Sequence, residues 1–369
     1  MFIRESTTEA ARLVPVALDE ARLEAFTQRM VGLLNDAGVA LMTSIGHRTG
    51  LFDVLALMPP ATSRQIAEAA SLNERYVREW LGAMVTGGIV ECNPLDGTYR
   101  LPPEHAARLT RAAAPNNLAA TTQWVAVLGS VESRIVECFA RGGGVPYAEY
   151  PRFHDVMAEE SAQTTVAGLL EHILPLADGL SERLEQGIDV LDIGCGKGRA
   201  LALLAQRFPR SRFTGYDLCP DAIAAGRAEA EARGVTNLRL ETRDVAALDD
   251  AACFDLVTAF DAIHDQRDPA TVLGNIRRAL RSDGVFLMQD IAGSSHVHKN
   301  IGGTLAPFVY TVSCLHCMSV SLAQGGAGLG AAWGEELAVE MLNEAGFGSV
   351  RKSRLEHDIL NTYYVARPE

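Results

Sequence analysis

Apolar residues recur at every third or fourth position through the first quarter of the chain, the spacing of amphipathic helices. Between 18 and 58 this spacing predicts two helices, the second stopped by consecutive prolines at 59 and 60. Two shorter helices follow, and the second carries an apolar stripe of Tyr76, Val77, Trp80, Leu81 and Met84. Two short runs joined through Asp96-Gly97 then predict a hairpin. Two helices followed by a hairpin amount to a winged helix.

A winged helix is a common DNA-binding shape, so the charge of this segment decides how it is interpreted. Residues 51–110 contain five arginines, no lysine and seven acids, a net charge of -2. Phosphate contacts dominate the affinity of proteins for DNA, and the segment lacks the basic stripe that would make them. The sequence therefore favours a scaffold or dimer interface over a DNA reader, and we expect no nucleic-acid partner.

Residues 112–184 are predicted to be helical, with interruptions at Pro115, at the glycine run 142–144 and at Pro151. The glycine run predicts a loop, which could serve as a hinge. The aromatic residues of this segment are Trp124, Phe139, Tyr147, Tyr150 and Phe153. Packing between domains is favoured over a pocket role for any one of them.

From Ile188 onward the pattern changes to alternating strands and helices. A buried apolar strand ends in a glycine-rich turn that opens a helix, and the next two strands end on acids, Asp217 and Asp244. Two further strands and the helix between them complete the series. Alternation at this length predicts an α/β fold whose parallel sheet is covered on both faces.

The spacing of the glycines excludes two common nucleotide sites. A dinucleotide fingerprint is G-x-G-x-x-G, but the third position counted from Gly194 and Gly196 is Arg199. A P-loop needs Ser or Thr after its lysine, and Lys197 is followed by Gly198. The remaining pattern is an acid followed by G-x-G-x-G, at a helix N-terminus where backbone amides can approach a ligand.

The run VLDIGCGKG, the acids Asp217 and Asp244, and the run FDAIHD occur in the order of the motifs of class I S-adenosylmethionine-dependent methyltransferases, which this half of the chain resembles. The resemblance covers Ile188 to the C-terminus. It implies a Rossmann-like, mostly parallel sheet of seven strands. It also implies S-adenosyl-L-methionine as cofactor and S-adenosyl-L-homocysteine as product.

The same resemblance implies roles for individual residues. In the family, the glycine turn holds the methionine part, the acid after strand two takes both ribose hydroxyls, and the acid after strand three meets the adenine amino group. A carboxylate suits the ribose because it accepts two hydroxyl donors side by side. The expected cofactor-binding residues are Asp192, Gly194, Gly196, Gly198, Asp217, Leu218, Asp244, Val245, Phe260 and Asp261.

The winged helix in front of this domain resembles the N-terminal domain of small-molecule O-methyltransferases of secondary metabolism, and of related bacterial C-methyltransferases acting on 2-oxo acids. That resemblance implies a homodimer formed through the N-terminal domain, which also contributes to the substrate pocket. We therefore expect three parts. Residues 1–111 form the helical and winged-helix dimerisation domain, 112–184 the linking helices, and 185–369 the cofactor-binding catalytic domain.

Methyl transfer from a sulfonium requires an aligned nucleophile and, for a hydroxyl, removal of its proton. His264 and Asp265 follow the fourth predicted strand, at the sheet edge where ligands of open α/β sheets bind. The resemblance implies that a His-Asp pair here supplies the base. We expect His264 to act as base in preference to a structural role. Asp265 would orient it or pair with Arg267.

Residues 292–333 are long for a connection, which is typical of a functional segment. Apolar residues from 308 onward predict a helix over the active site, followed by the glycine-rich loop 325–330. We expect His316 to be a second catalytic polar group of the pocket. The residues expected to line it are Phe308, Tyr310, Met318 and Trp333.

Metal binding is the chief alternative for these histidines. His264, Asp265 and His316 would make a two-histidine, one-carboxylate site, and His296, His298, Cys314 and Cys317 are further ligand types. No complete zinc pattern is present, so we predict no metal. A disulfide between Cys314 and Cys317 is disfavoured in a reducing compartment.

The chain has 33 basic and 46 acidic side chains, a net charge of -13, and neither a signal-peptide pattern nor an apparent membrane-length apolar stretch. We expect a cytoplasmic protein without a membrane partner. The predicted function is methyl transfer to a small, fairly apolar molecule at oxygen. The alternatives are metal-assisted C-methylation of a 2-oxo acid-like substrate, and a cofactor-sensing winged-helix transcriptional regulator.

Overall fold

The computed structural model describes residues 18–368. Its N-terminal part contains α1 (Glu20–Thr49), α2 (Leu51–Leu57), α3 (Ser63–Ala70), α4 (Glu74–Thr86), β1 (Glu91–Asn93), β2 (Thr98–Arg100) and α5 (Pro103–Leu109). β1 and β2 pair antiparallel around the loop that contains Asp96-Gly97, and form the wing. The predicted winged helix is therefore confirmed.

The winged helix has a core of its own, and α1 is anchored to it. Trp80 is buried against Phe52, with ring centroids 5.3 Å apart, and its indole N–H donates to the carbonyl oxygen of Met42 in α1. Full burial of one large apolar side chain contributes about 1.5–3 kcal/mol. His47, near the end of α1, is buried and lies 2.6 Å from Glu159 of a later helix.

The break between the two predicted N-terminal helices lies at Gly50, so that α1 spans 30 residues. Only its last turns are buried, and six apolar side chains on one side of α1 are exposed to between 42% and 75%. They are Leu23, Phe26, Met30, Leu34, Leu41 and Ile45, here called the α1 stripe. Their spacing of three, four or seven residues places them along one line of the helix.

The linking helices are α6 (Leu118–Thr121), α7 (Gln123–Gly129), α8 (Glu132–Arg141), α9 (Phe153–Gln163), α10 (Thr165–Gly168) and α11 (Leu180–Gln186). In the glycine run after α8, Gly142 and Gly143 have open space around them, whereas Gly144 is closely packed. A Cβ on Gly144 would lie 1.8 Å from the carbonyl oxygen of Ser319. The backbone N–H of Val145 donates to the Ser319 hydroxyl at 2.8 Å.

The seven-stranded sheet contains β3 (Asp189–Ile193), β4 (Arg212–Asp217), β5 (Leu238–Thr242), β6 (Phe254–Phe260), β7 (Leu280–Ile291), β8 (Phe347–Leu355) and β9 (Asp358–Pro368). Its order is β5-β4-β3-β6-β7-β9-β8. The first five strands in this order are parallel, and β9 runs antiparallel to both neighbours. The predicted mostly parallel α/β sheet is confirmed.

Helices cover both faces of the sheet because its central strands are apolar on both sides. The helices after the strands are α12 (Arg199–Arg207), α13 (Pro220–Ala232), α14 (Pro269–Ala279) and α17 (Gly334–Glu344). One core includes Val272 of α14 and Ala338 of α17. The other includes Leu184 of α11 and Leu201 of α12.

The helix predicted over the active site is present. It comprises α15 (Ala306–Val312), one π-helical turn at 313–317, and α16 (Met318–Ala323). The segment Ala306–Ala323 has a mean hydropathy of 1.4 and is long and apolar enough to cross a membrane. This corrects the expectation that no apolar stretch of the chain reaches the length of a membrane span. Of this window 39% is buried in the fold, and its apolar residues pack against α7, α8 and α9.

Candidate active site

The glycine turn joins β3 to α12 at the carboxyl edge of the sheet. Gly194, Gly196 and Gly198 have φ angles of 67°, 54° and 65°. A Cβ on Gly194 would lie 2.5 Å from the Cβ of Ala262, so no larger residue fits there. No atom lies within 4 Å of a Cβ built on Gly196. The backbone of the turn therefore faces open space, where its amides can approach a ligand.

Asp217 ends β4 beside this turn. Its carboxylate accepts hydrogen bonds from the backbone N–H groups of Gly196 and Cys219, both at 2.8 Å. A carboxylate has about four acceptor positions, so two remain free after these bonds. The fixed carboxylate fits a pair of neighbouring hydroxyls such as those of a ribose.

Asp192 lies beneath the turn and is buried. Thr258 of β6 donates to it at 2.7 Å. Burial raises the pKa of Asp192 to about 7, with a smaller contribution from the charge of Asp217. A buried carboxyl group whose charge is compensated by a single hydroxyl is suited to a positively charged ligand group nearby.

The residues predicted to meet adenine differ in accessibility. Leu218 is 45% exposed and gives an apolar surface beside Asp217. Asp244 is exposed, and its carboxylate accepts from the backbone N–H of Ala246 at 2.9 Å. Val245 is buried in the core, so only its backbone can face a ligand.

Phe260 ends β6 and packs against the sheet core, and Asp261 follows with a φ of 51°. Asp261 Oδ1 is buried without a hydrogen-bond partner. Burial and the charge of Asp290 raise the pKa of Asp261 to about 7. An unpartnered buried acceptor is costly, so this oxygen indicates a position that a ligand donor would fill.

His264 is buried just beyond β6, and Asp290 near the end of β7 holds it. The imidazole Nδ1 lies 2.7 Å from Asp290 Oδ1. The same oxygen accepts from the indole N–H of Trp333 at 2.9 Å and from the backbone N–H of Ile291 at 2.8 Å. Three contacts to one oxygen fix the carboxylate, and the carboxylate in turn fixes the ring.

Asp265 lies on the other side of the ring. Its Oδ1 is 3.2 Å from His264 Nε2 but makes no hydrogen bond, and its Oδ2 accepts from the Tyr147 hydroxyl at 2.9 Å. His316 Nδ1 lies 4.0 Å from the same Oδ2. Asp265 therefore faces His264 and Tyr147, and not the alternative partner Arg267.

The pKa values of the two histidines are shifted in opposite directions. Burial alone would lower the pKa of His264, but the charges of Asp290 and Asp265 outweigh it and hold that pKa well above its usual value. Burial lowers the pKa of His316 to about 4 in spite of Asp265. Burial would raise the pKa of Asp265, yet His264 brings it to about 2. The carboxylates thus favour the protonated form of His264, whereas burial favours the neutral form of His316.

Aromatic side chains of the linking segment form a wall around His316. Its ring stacks on Phe153 with centroids 4.1 Å apart, and Tyr150 meets it edge-on at 4.8 Å. Tyr147, for which interdomain packing was favoured, touches the catalytic centre through Asp265. Phe139 is 80% exposed and packs at no domain boundary in the described chain.

The models of two protein families match this chain, one in each half. Residues 37–111 match the model of the Rv2258c-like winged HTH domain. Residues 184–345, which contain the glycine turn, Asp217 and His264, match the model of a methyltransferase domain. The second half of the chain is a methyltransferase domain. The predicted enzyme class, an S-adenosylmethionine-dependent methyltransferase, is thereby confirmed at the level of this domain.

Curated relatives match about a third of this chain. Trans-aconitate 2-methyltransferase of Deinococcus radiodurans is 35% identical over 120 residues, 32% of this chain and 44% of that protein. Nocamycin O-methyltransferase of Saccharothrix syringae is 33% identical over 119 residues, 31% of this chain and 42% of that protein. The matches thus span less than half the length of these relatives.

Solved methyltransferase structures share the fold over nearly the whole chain. Mitomycin 7-O-methyltransferase MmcR has a TM-score of 0.70 at 17% identity, covering 95% of this chain and 100% of that one. Human N-acetylserotonin methyltransferase, solved in complex with SAM, has a TM-score of 0.68 at 15% identity, covering 96% and 100%. The order of a winged helix, linking helices and a methyltransferase domain is common to all three.

Sequence reasoning missed two side chains that lie beside His264. Asp290 was read only as part of an apolar strand, although an acid ending such a strand at the sheet edge is a usable signal. Cys317 was considered only as a ligand type. Its thiol is buried, and burial raises its pKa to about 12.

A compact group of metal-ligand types lies around His264. One ligand atom from each of His264, Asp265 and Cys317 lies within 4.8 Å of the others. In the alternative metal site weighed from the sequence, the third ligand type was His316; here the third member of the group is Cys317. His296 and His298 lie on an exposed turn, and Cys314 and Cys317 are free thiols.

Proposed function

We propose that this protein transfers the methyl group of S-adenosyl-L-methionine to an oxygen of a small, fairly apolar molecule, with His264 as general base. The pairing of His264 with Asp290 carries this proposal, because it orients an imidazole at the sheet edge next to the glycine turn. The cofactor would supply an electrophilic methyl group on a positively charged sulfur. The residues of the chain would bind, orient and deprotonate the acceptor.

The hydrogen bond to Asp290 keeps a proton on Nδ1, so that the neutral ring carries its lone pair on Nε2. An acceptor hydroxyl placed against Nε2 would give its proton to that nitrogen as its oxygen attacks the methyl carbon. The imidazolium that forms would be stabilised by Asp290 and Asp265. Asp265, held by Tyr147, would act as a positioning residue that aligns the hydroxyl.

The cofactor would bind along the carboxyl edge from Asp217 to Asp261. Asp217 would accept the ribose hydroxyls, and the backbone of Gly194, Gly196 and Gly198 would meet the methionine part. The adenine would lie by Leu218, Asp244 and the backbone of Val245. The buried carboxyl groups of Asp192 and Asp261 and the ring of Phe260 would surround the positively charged end.

Two named relatives support oxygen as the methylated atom. Mitomycin 7-O-methyltransferase and nocamycin O-methyltransferase both carry O-methylation in their names. A neutral His316 against Phe153 would add a hydrogen-bonding group to an otherwise apolar wall. Such a wall suits an aromatic or polycyclic acceptor with few polar groups.

The proposal is tested in two steps. Calorimetric titration with S-adenosyl-L-homocysteine should show saturable binding, and its absence would rule out the cofactor assignment. Release of S-adenosyl-L-homocysteine is then followed over a panel of phenols and hydroxy acids. His264→Ala should keep cofactor affinity and lose turnover by about 10²–10⁴-fold, the usual contribution of a general base. His298→Ala, on an exposed turn, is the matched control and should retain full turnover.

A second candidate function is metal-assisted C-methylation of a 2-oxo acid-like substrate. The convergence of His264, Asp265 and Cys317 favours it, since imidazole, carboxylate and thiolate together bind divalent transition metals. Asp290 would then orient the ligating ring, as carboxylates commonly do for metal-bound histidines. A bound metal would polarise the oxo group and acidify the neighbouring carbon, whose proton would have to pass to a base before that carbon attacks the methyl group.

We further propose that the protein works as a homodimer through its N-terminal domain, in the three-part division 1–111, 112–184 and 185–369. The exposed α1 stripe supports the dimer, and the charge of -2 on residues 51–110 supports the absence of nucleic-acid binding. A cytoplasmic location is part of the same proposal. A gel-shift assay at low salt tests the nucleic-acid statement, and a retarded band at micromolar protein would contradict it.

A further inference from the structure

A cavity of about 380 Å³ lies beyond the end of β7, between α15 and the β8–β9 hairpin. It does not include His264, the glycine turn or any residue predicted to bind the cofactor. The residues that line it are Ala292, Gly293, Ser294, Lys299, Asn300, Gly303, Thr304, Leu305, Ala306, Val309, Tyr310, Ala331, Ala332, Arg354, Ile359 and Leu360.

The lining contains two cations, Lys299 and Arg354, and no carboxylate. Behind it, Lys299 pairs with Glu336 at 3.1 Å, and Arg354 pairs with Glu335. Glu335 also pairs with Lys352, whose Nζ lies 2.8 Å from Glu335 Oε2. Lys352 is not part of the cavity lining. Each of the two lining cations thus pairs with one carboxylate that lies behind the lining, and the lining itself carries positive charges only.

The rest of the lining suits an amphipathic ligand. The Tyr310 hydroxyl accepts from Asn300 Nδ2 at 3.0 Å, which leaves its own O–H free to donate. Leu305, Val309 and Ile359 supply apolar surface. Both lining cations already have a carboxylate partner behind the lining, but their remaining N–H groups and the Tyr310 O–H are donors that suit an anion, and the apolar part suits a carbon skeleton.

The cavity shares a wall with the catalytic centre. Ala292 follows Asp290 by two residues along the same strand end. Ala332 precedes Trp333, whose indole donates to Asp290. Tyr310 lies on the helical segment that continues to His316. A molecule anchored in the cavity would thus lie next to the elements that hold His264.

We propose that this cavity binds the carboxylate of an amphipathic organic acid, through Arg354, Lys299 and the Tyr310 hydroxyl, and that the methyl acceptor belongs to this class. The second half of the statement rests on the proposed methyl transfer, whereas the binding of the acid does not. The acid would be recognised at a point remote from the reacting atom, so the cavity would determine which acceptors bind.

The test compares 4-phenylbutyrate with its uncharged analogue 4-phenylbutyramide on the full-length protein saturated with S-adenosyl-L-homocysteine. Dissociation constants from ligand-observed NMR should be about tenfold lower for the acid, the size expected of a charge-assisted contact. Arg354→Gln and Lys299→Gln should bring the two constants to within about twofold of each other. Lys352→Gln is the matched control, because it removes a cation from the same carboxylate outside the cavity, and should keep the tenfold preference.

Equal binding of acid and amide to the wild-type protein, or no saturable binding of the acid, would overturn the proposal. Loss of the preference in Lys352→Gln as well would also overturn it, since a general loss of positive charge would then explain the result. Failure of the methyltransferase proposal is distinguishable. It would appear as no binding of S-adenosyl-L-homocysteine, while the acid and amide could still be compared on the unliganded protein.

Discussion

His264 Nδ1 and Asp290 Oδ1 lie 2.7 Å apart in the interior, and both side chains are almost entirely shielded from solvent. Trp333 and the backbone of Ile291 donate to the same carboxylate oxygen, so the group that orients the imidazole is itself held in place. The pair therefore determines both the tautomer of His264 and its affinity for a proton.

The first prediction concerns the pH dependence of methyl transfer. The base must be neutral to accept a proton, and the pKa of His264 is held well above its usual value by Asp290 and Asp265. Turnover should therefore rise with pH through that raised pKa. Asp290→Asn removes one negative charge and lowers the pKa of His264, so the rising limb should move to lower pH. The plateau rate should fall by roughly 10–100-fold because the ring is less well oriented.

The pH profile is measured as product release between about pH 5 and 10, with cofactor and acceptor saturating. Asp249→Asn, which removes a carboxylate that is 87% exposed in its side chain, is the control and should leave the profile unchanged. A rising limb that stays in place in Asp290→Asn would show that His264 is not the titrating base.

The second prediction concerns the glycine turn. In Gly194→Ala the new methyl group would lie 2.5 Å from Ala262, on a backbone with a φ of 67° that alanine disfavours. Affinity for S-adenosyl-L-homocysteine should fall by at least about tenfold, which is 1.4 kcal/mol of binding free energy. Titration calorimetry measures the change directly.

Gly82→Ala is the matched control for this variant. Gly82 lies inside α4, and no atom is within 4 Å of the added Cβ. Alanine is favoured over glycine in a helix by about 1 kcal/mol, so this variant should be slightly more stable and bind the cofactor normally. Normal binding by Gly194→Ala would refute the role given to the turn.

The third prediction concerns assembly. Phe26→Glu together with Leu34→Glu places two charges in the α1 stripe, where a second copy of the chain is expected to bury it. Sedimentation equilibrium should show a dimer for the wild type and a monomer for the double variant, because unpaired buried charges oppose association. Gln28→Glu, on the opposite side of α1, should remain a dimer. A wild-type monomer at micromolar concentration would contradict the proposal.

The fourth prediction separates the two candidate reactions. If His264, Asp265 and Cys317 hold a metal, the purified protein should contain about one equivalent of zinc or iron, and Cys317→Ser should reduce its content. O-methylation by a His264 base should proceed without metal and survive dialysis against EDTA. The metal content is measured by elemental analysis, and turnover is measured before and after dialysis, which together distinguish the two reactions. Activity lost on dialysis and restored by the metal would reject the base mechanism.

Residues whose positions depend on local backbone geometry could be predicted from the sequence. The glycine turn, Asp217 and His264 each follow a strand directly, and parallel strands bring their carboxyl ends to one edge. The net charge of the winged helix can likewise be read directly from its residues. The confirmed fold and enzyme class rest on these features.

Contacts between distant segments could not be predicted in this way. Asp290 is 26 residues from His264, and Tyr147 is 118 residues from Asp265. Their meeting depends on how the strands and linking helices pack, which periodicity does not specify. The same holds for the cavity beside β7, whose lining comes from three separate parts of the chain.

The close approach of Gly144 to Ser319 bears on how such a site can diversify. The helical segment 306–323 has no clearance there, so it cannot slide along its axis to admit a larger acceptor. New acceptors must be accommodated by exchanging side chains on that segment, while its backbone stays where it is.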